Sequence, residues 1–381
     1  MQMMQLVQNK KEGVDWILYT AALALSVLGL VTMSTLSWHD PFLLRQLLWI
    51  ALGSLVFFVA SRVDWRFLRH AGVAASILGA LLVPLIGLLV LGHAVKGAKS
   101  WFSLGGLGIE PIEFVKLALI IALAKYFSVR HIEIRNIRHI LISGAYAFIV
   151  FALLLLQPDL GGAIIIFLIW LGMVLFSGIS RKHLLGLFVV GVLAFSALWL
   201  FGLHAYQKQR ILTFIHPTSN IYSSGYNAYQ SVVAVGSGQL LGKGIGYGTQ
   251  SRLRFLPEFQ TDFIFAAFAE EWGFLGVCIV FTLYGVLFWR ILQSASKGAS
   301  NFETLFALGV LCYLAAHFCL HVAINVQLLP VTGTTIPFMS YGGSHLLAEF
   351  LALGMVAGMR RYARAAHPDA MNREFSGGYD K

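Results

Sequence analysis

Charge is scarce in this sequence. Of its 381 residues only 12% are Asp, Glu, Lys or Arg, while 58% are hydrophobic, and the mean hydropathy is +0.77. A water-soluble fold of this size has no core large enough to hide so much apolar surface, so the chain reads as an all-α polytopic integral membrane protein. Cysteine is rarer still. Cys278, Cys312 and Cys319 all lie within apolar runs, which leaves them as small hydrophobes rather than a disulfide framework or a zinc or haem set. Also absent are a soluble domain, a long linker, a low-complexity tract and a convincing internal repeat. The formal charge of +10 would suit nucleic acid, but the basic residues sit mainly in short loops between apolar runs, a pattern that reports topology instead.

Membrane spans need about 20 apolar residues each. Ten candidates meet that need: 16–34, 42–61, 70–92, 111–128, 139–156, 161–179, 184–203, 262–291, 303–327 and 340–359. The first run is too long for the core of a cleavable signal and is read as a span. With the N-terminus in the cytoplasm, the inside set is Lys10, Lys11; Arg62, Arg66, Arg69; Lys125, Arg130, Arg135, Arg138; Arg181, Lys182; Arg290, Lys297; and Arg360, Arg361, Arg364, Arg373, Lys381. That set holds 18 of the 27 Lys and Arg and gives every inside loop some, as the positive-inside rule requires. Both termini are therefore expected in the cytoplasm. Outside lie 93–110, 204–261 and 328–339. The first is expected to form a short interfacial helix or re-entrant turn around Trp101. The second is too long for a mere connector between the seventh and eighth spans and should fold on the membrane face.

The chemistry-bearing residues gather around Tyr226–Gly276, where Lys243, Arg252, Arg254, Glu258 and Asp262 precede an apolar span that carries Glu270 and Glu271. Asp262 stands at the outer mouth of that span, with Ala266, Ala269 and Gly273 placed to follow it along one helix stripe. It either caps the helix or carries chemistry, and a cap leaves the neighbouring cations unexplained. Glu270 and Glu271, two turns deeper, either pair with a basic residue of another helix or serve the site. Glu113 and Lys116 share a helix face; they form an internal ion pair, or Lys116 faces a lipid-linked anion, since a charge inside the membrane is a functional candidate by default. Gln157-Pro158-Asp159 reads as a turn. Arg210 adds an outer-face cation. Gly242-Lys243-Gly244-Ile245-Gly246-Tyr247-Gly248 fails both the Walker and the dinucleotide pattern, because Ser237 and Gly244 stand where glycine and a hydroxyl are required. His317 and His321 read as satisfied interior residues, and no Ser–His–Asp or S-x-x-K acylation signature stands out.

Taken in order, Lys96-Gly97-Ala98-Lys99-Ser100-Trp101, Pro111-Ile112-Glu113-Phe114-Val115-Lys116, Gln157-Pro158-Asp159, Leu256-Pro257-Glu258 through Thr261-Asp262 to Glu270-Glu271, and Leu329-Pro330 with Ser340-Tyr341-Gly342-Gly343-Ser344 resemble the SEDS family (shape, elongation, division and sporulation) of peptidoglycan polymerases. Gly248-Thr249-Gln250-Ser251 followed by Phe255-Leu256-Pro257-Glu258 is more similar to its elongation branch, RodA, than to its division branch, FtsW. Glu110 and Ile112 depart from the family's usual Gln and Ser, and His321, Ala323 and Gln327 from its Asn, Gly and Gly. The resemblance implies a ten-helix fold in the bacterial cytoplasmic (inner) membrane and inverting synthesis of glycan strands from lipid II for elongation and rod shape. It places Asp262 at the family's essential aspartate, and Lys116, Glu113 and Arg210 where the family keeps functional residues. Trp101, Lys243, Glu258 and Ser340 complete the expected substrate-binding set. Implied partners are lipid II, the nascent glycan, membrane lipid, the elongation machinery and a class B penicillin-binding protein that cross-links the strands.

The chemistry agrees with these residues. Diphosphate is a good leaving group, so one carboxylate base for the attacking hydroxyl and nearby positive charge suffice. A divalent cation, magnesium or manganese, is a candidate to share the diphosphate charge. The rival is a transporter that flips lipid-linked precursors. Siting separates the two, since a transporter keeps its key charges near midmembrane and these concentrate on the outer face.

Overall fold

The computed structural model describes residues 14–34, 41–91, 93–95, 98–104, 107–130, 136–215, 225–253 and 255–363. Lys10, Lys11, Lys96, Gly97, Arg135, Arg254, Arg364, Arg373 and Lys381 lie outside the described residues. A helix occupies each of the ten expected ranges: α1 (Trp16–Ser34), α2 (Pro41–Ala60), α3 (Ala71–Leu91), α4 (Ile112–Val129), α5 (Ile137–Leu156), α6 (Leu160–Phe176), α7 (Arg181–Ala197), α11 (Ile264–Ser296), α12 (Asn301–Asn325) and α13 (Gly343–Ala363). Seven of these are long and apolar enough to cross a membrane, and α6 is apolar but shorter. The remaining two, α4 and α13, carry the charges discussed below. This is a multi-pass membrane protein.

Local signals set the ends. Pro111 precedes the first turn of α4, and the side chains of Asn136, Asp159 and Ser180 accept N–H groups of Arg138, Gly162 and His183 at the starts of α5, α6 and α7. The centre of the bundle is α4, fourteen of whose residues are buried, packed against α3 and α12; α12 also packs on α6 and α11. At the α2–α13 contact, a Cβ on Gly354 would lie 2.8 Å from the Phe57 carbonyl oxygen. Small residues let helix backbones approach, which in lipid replaces the missing hydrophobic drive. By contrast α7, continued by a π-turn at Leu198–Gly202, buries none of its residues.

Two expectations are corrected. The described residues of 93–110 form not a helix or re-entrant turn but a small antiparallel sheet, β1 (His93–Val95), β2 (Ala98–Leu104) and β3 (Leu107–Ile109), set beside the helical bundle. Phe102 pairs with Ile109 and Leu104 with Leu107; a hairpin satisfies its backbone groups across strands, which a segment this short and glycine-rich cannot do as a helix. Asp262 does not stand on the helix. It sits in a turn before α11, so the stripe drawn from it through Ala266 does not exist. The stripe is also broken lower down, where Gly273 is non-helical at φ 64° and ψ −167°. The described residues of 204–261 form α8 (Ala205–Ile215), α9 (Tyr226–Ser237) and a single turn, α10 (Thr249–Arg252).

Candidate active site

A cavity of about 1120 Å³ opens among α4, α6, α7, α8, the turn before α11 and the 330–335 loop. Asp262, Glu258, Arg210, Lys116, Glu113 and Trp101 all line it. Its apolar flank includes Ile165 and Phe167 of α6 and Gly191, Ala194 and Phe195 of α7. Because α7 buries no residue, that flank borders lipid, as a site for a substrate with a hydrocarbon tail requires.

The turn that presents Asp262 is tightly wound. Glu258 has φ 55°, and its carbonyl accepts the N–H groups of Thr261, Asp262 and Phe263 at 3.1, 3.1 and 3.2 Å. The cap of α11 comes from another helix: buried Asn325 takes the Ala266 N–H on Oδ1 at 3.1 Å and donates Nδ2 to the Asp262 carbonyl at 3.0 Å. The Asp262 carboxylate does not cap α11 and stands half-buried at the cavity wall. Ser340 braces the same turn from behind. Its hydroxyl donates to the Thr261 carbonyl at 2.8 Å and accepts the Ile336 N–H at 3.0 Å. It is 1% exposed and does not line the cavity, so its place is structural rather than at the substrate.

Lys116 is 2% exposed. Its ammonium donates to Glu113 Oε1 at 2.7 Å, lies 3.1 Å from His317 Nε2 and stands over the Tyr313 ring. His317 places Nδ1 3.1 Å from the Thr335 carbonyl, which makes Nδ1 the donor and leaves Nε2 to accept from Lys116. Glu113 Oε2 accepts from Tyr313 at 3.1 Å and His345 Nδ1 at 3.0 Å. On the other side of His345, Glu349 Oε1 is 2.8 Å from Nε2, out of line for a hydrogen bond, while its Oε2 accepts the Phe338 N–H at 2.8 Å. The result is a buried row of alternating sign, Lys116, Glu113, His345, Glu349, which neutralises itself as buried charges must. Lys116 is thus the internal partner of Glu113 and also lines the cavity. His345 and Glu349 escape the sequence reading, although a His and a Glu four residues apart inside an apolar run are themselves a signal of intramembrane pairing.

Lys243 leaves the expected set. It does not line the cavity, and its ammonium donates to Glu270 Oε1 at 2.7 Å and to Thr249 Oγ1 at 2.8 Å. Fully buried Glu270 also accepts from Thr249, Gln250 and Ser251. The partner of Glu270 is therefore a loop lysine and not a cation of another helix. The glycine-rich segment has a definite task beside it. Where Gly273 breaks α11, Lys243 and Gly244 donate to the carbonyls of Glu270 and Glu271 at 3.0 Å, and Phe274 and Leu275 donate to those of Gln239 and Leu240 at 2.9 and 3.1 Å. Freed backbone groups in a membrane helix must be satisfied internally, and this loop satisfies them.

Two carboxyls at the cavity edge are shifted. Burial, then the neighbouring Glu113 and Asp159, pushes Glu110 up to about 8; burial also raises Asp159, against the Gly162 N–H that it accepts. Glu110 is thus largely uncharged at neutral pH. For a metal, the candidate group is Glu113, His317 and His345, whose ligand atoms lie within 4.8 Å of one another. The Lys116 ammonium already binds two of them, so these residues fit a lysine and not an ion.

Residues 14–365 match the FtsW/RodA/SpoVE family model, described as a cell cycle protein. Stage V sporulation protein E of Bacillus subtilis is 33% identical over 368 residues, covering 93% of this chain and 99% of that protein. The peptidoglycan glycosyltransferase MrdB of Escherichia coli is 33% identical over 363 residues, covering 93% and 97%. Among solved structures, a chain of a peptidoglycan synthase complex that coordinates polymerisation and crosslinking superposes with a TM-score of 0.79 at 32% identity, covering 92% of this chain and 98% of that one. Thermus thermophilus RodA superposes with a TM-score of 0.69 at 30% identity over the same shares.

Proposed function

This chain belongs to the FtsW/RodA/SpoVE family of cell cycle proteins and is a peptidoglycan glycosyltransferase, and on that premise we propose that Asp262 is its general base, acting on lipid II in the cavity described above. The observation that carries the reading is the meeting of Asp262, Arg210 and Lys116 on one cavity whose flank borders lipid. The diphosphate-linked donor lays its isoprenoid along α6 and α7 and its diphosphate toward Arg210 and Lys116. Asp262 takes the proton of the acceptor 4-hydroxyl as that oxygen attacks the anomeric carbon; the bond to the diphosphate breaks, and the leaving group departs with its charge met by the two cations. Attack opposite the leaving group inverts an α-linked donor to a β-1,4 strand. A magnesium or manganese ion travelling with the diphosphate belongs to the substrate in this scheme, and no step depends on it.

The chain acts as one integral membrane unit on the outer face of the bacterial cytoplasmic membrane, with both termini inside. It serves elongation in complex with a class B penicillin-binding protein, a pairing supported by the likeness to a polymerase that works in a crosslinking complex. The division branch is the alternative assignment within the family. A precursor transporter gains no support from the charges: Glu113 and Lys116 lie in the first turns of α4, His345 and Glu349 in those of α13, while Leu117 through Leu123 deeper in α4 are apolar and buried. The test is to incubate the purified protein with lipid II and resolve products by gel. Glycan ladders are expected; lipid II moved across vesicles with no polymer formed would return the transporter.

A further inference from the structure

The end of the bundle opposite the catalytic cavity carries a second one, of about 290 Å³, between the start of α1, the last turns of α11 and the end of α13. Arg290, Arg360 and Arg361 line it together with Asp15, Trp16 and Ile17. Asp15 is 6% exposed and holds two of the arginines: Oδ2 receives Arg290 Nη2 and Arg360 Nη1, each at 2.8 Å, and Oδ1 receives Arg290 Nε at 3.2 Å. Among the described residues Asp15 thus holds two of the three guanidiniums that line the cavity, and the third belongs to Arg361. Arg361, half-buried, has no hydrogen-bond or ion-pair partner among the described residues.

A blander account assigns Arg360 and Arg361 to the last turn of α13, where cations offset the helix dipole. It leaves two facts over. Arg290 lies six residues before the end of α11, outside the last turn, and a dipole needs no cavity. A half-buried guanidinium such as that of Arg361 is costly until an anion closes it. The walls say which anion. Trp16 and Ile17 are 59% and 52% exposed, and an exposed Trp at the first residue of a spanning helix marks the level of the lipid headgroups. The guanidiniums therefore stand where phospholipid phosphates lie, beside an apolar surface that can carry an acyl chain. Their planar donor forks match phosphate oxygens in pairs.

We infer that this cavity binds the phosphate of an anionic phospholipid headgroup, with Arg361 as its primary ligand and Arg290 and Arg360 held in place by Asp15. Basic pockets between spanning helices are suited to such headgroups. The site is independent of the glycosyl-transfer reading. Arg361 is the useful handle, because its replacement leaves the Asp15 ion pairs intact.

The experiment uses the full chain, delipidated and offered equal amounts of phosphatidylethanolamine, phosphatidylglycerol and cardiolipin, with retained lipid counted by native mass spectrometry. The two anionic lipids should be retained over the zwitterionic one, Arg361→Gln should cut that preference about fivefold, and Arg361→Lys should fall between. Inorganic phosphate at millimolar concentration should not displace the bound lipid. Equal retention of all three lipids, or a preference that Arg361→Gln leaves unchanged, overturns the site. Phosphate that empties it shows a soluble anion site and overturns the lipid assignment. Should Arg361→Gln fail to fold, a salt titration of the unmodified protein decides: the preference falls with ionic strength if the inference is right and stays flat if it is wrong.

Discussion

Lys116 and Glu110 show how single charges are kept inside the bundle by opposite means, one paired and the other neutralised. Lys116 is held by Glu113 and His317. Lys116→Met alone strands the Glu113 carboxylate beside fewer donors and should cost about 3–5 kcal/mol of stability, as breaking a buried pair does. The double variant Glu113→Gln, Lys116→Met should recover thermal stability but not polymer synthesis, because the account gives the ammonium to the diphosphate. Recovery of both, read from melting curves and product gels, would make the lysine a structural partner only. Glu110 tests the electrostatics from the other side. Its carboxyl is raised to about 8, so it is neutral below that pH and ionises above it, adding negative charge to a cavity that must hold a diphosphate. The KM for lipid II should therefore rise as pH passes 8, and Glu110→Gln should remove that rise; an alkaline limb that persists in the variant assigns it elsewhere. The cavity-lining residues Asp262, Arg210, Lys116 and Glu113 were legible in the sequence because a charge beside an apolar run needs a reason. Lys243 and Ser340 do not line the cavity, because neither the nearness of Lys243 to Asp262 in sequence nor the place of Ser340 in its motif says anything of direction: one side chain points to Glu270 and the other to the back of the turn.

The break in α11 is the element on which the 239–244 loop docks. Gly242 has φ 82°, and a Cβ added there would run into the Glu271 carbonyl oxygen; a Cβ added at Gly273, at φ 64°, would run into the Gly242 nitrogen. Two backbones touch at this point, so neither glycine tolerates a side chain. Gly242→Ala should lower thermal stability by about 1–3 kcal/mol or more, the range for backbone strain at a site that cannot relax; Gly236→Ala, whose Cβ would meet open space in the helix α9, is the control that should be neutral. A Gly242→Ala variant melting with wild type would show that the loop does not dock as described. The helices themselves were readable from apolar length alone. The loop's docking was not, since the same glycines satisfy a phosphate-loop eye until the hydroxyl that should follow Lys243 is found missing, and what they bind instead lies about 30 positions on. The β1–β3 meander was hidden for a similar reason. Aromatic and apolar residues near a membrane surface suit an interfacial helix and a hairpin equally, and the pairing of Phe102 with Ile109 decides it.

At the scale of the whole molecule, the wide cavity that Asp262 and Arg210 line suits the lengthening of glycan, and cross-linking is proposed to fall to a partner. Contact with a transpeptidase through small-residue faces of the spans and the 204–261 segment should order α8, which carries Arg210. Co-purification with a class B penicillin-binding protein should therefore be stable and raise polymer yield; no association together with an unchanged rate would count against the pairing. The central claim is narrower and rests on Asp262, whose carboxylate lines the cavity while Asn325 holds the start of α11. Asp262→Asn keeps the shape and backbone contacts of that turn but cannot accept a proton. Its polymerisation rate, measured on lipid II beside the wild type with matched melting temperatures, tests the account most directly: loss of glycan by a factor of about 10² or more is predicted, and an Asn variant that makes long glycan at near the wild-type rate would contradict it.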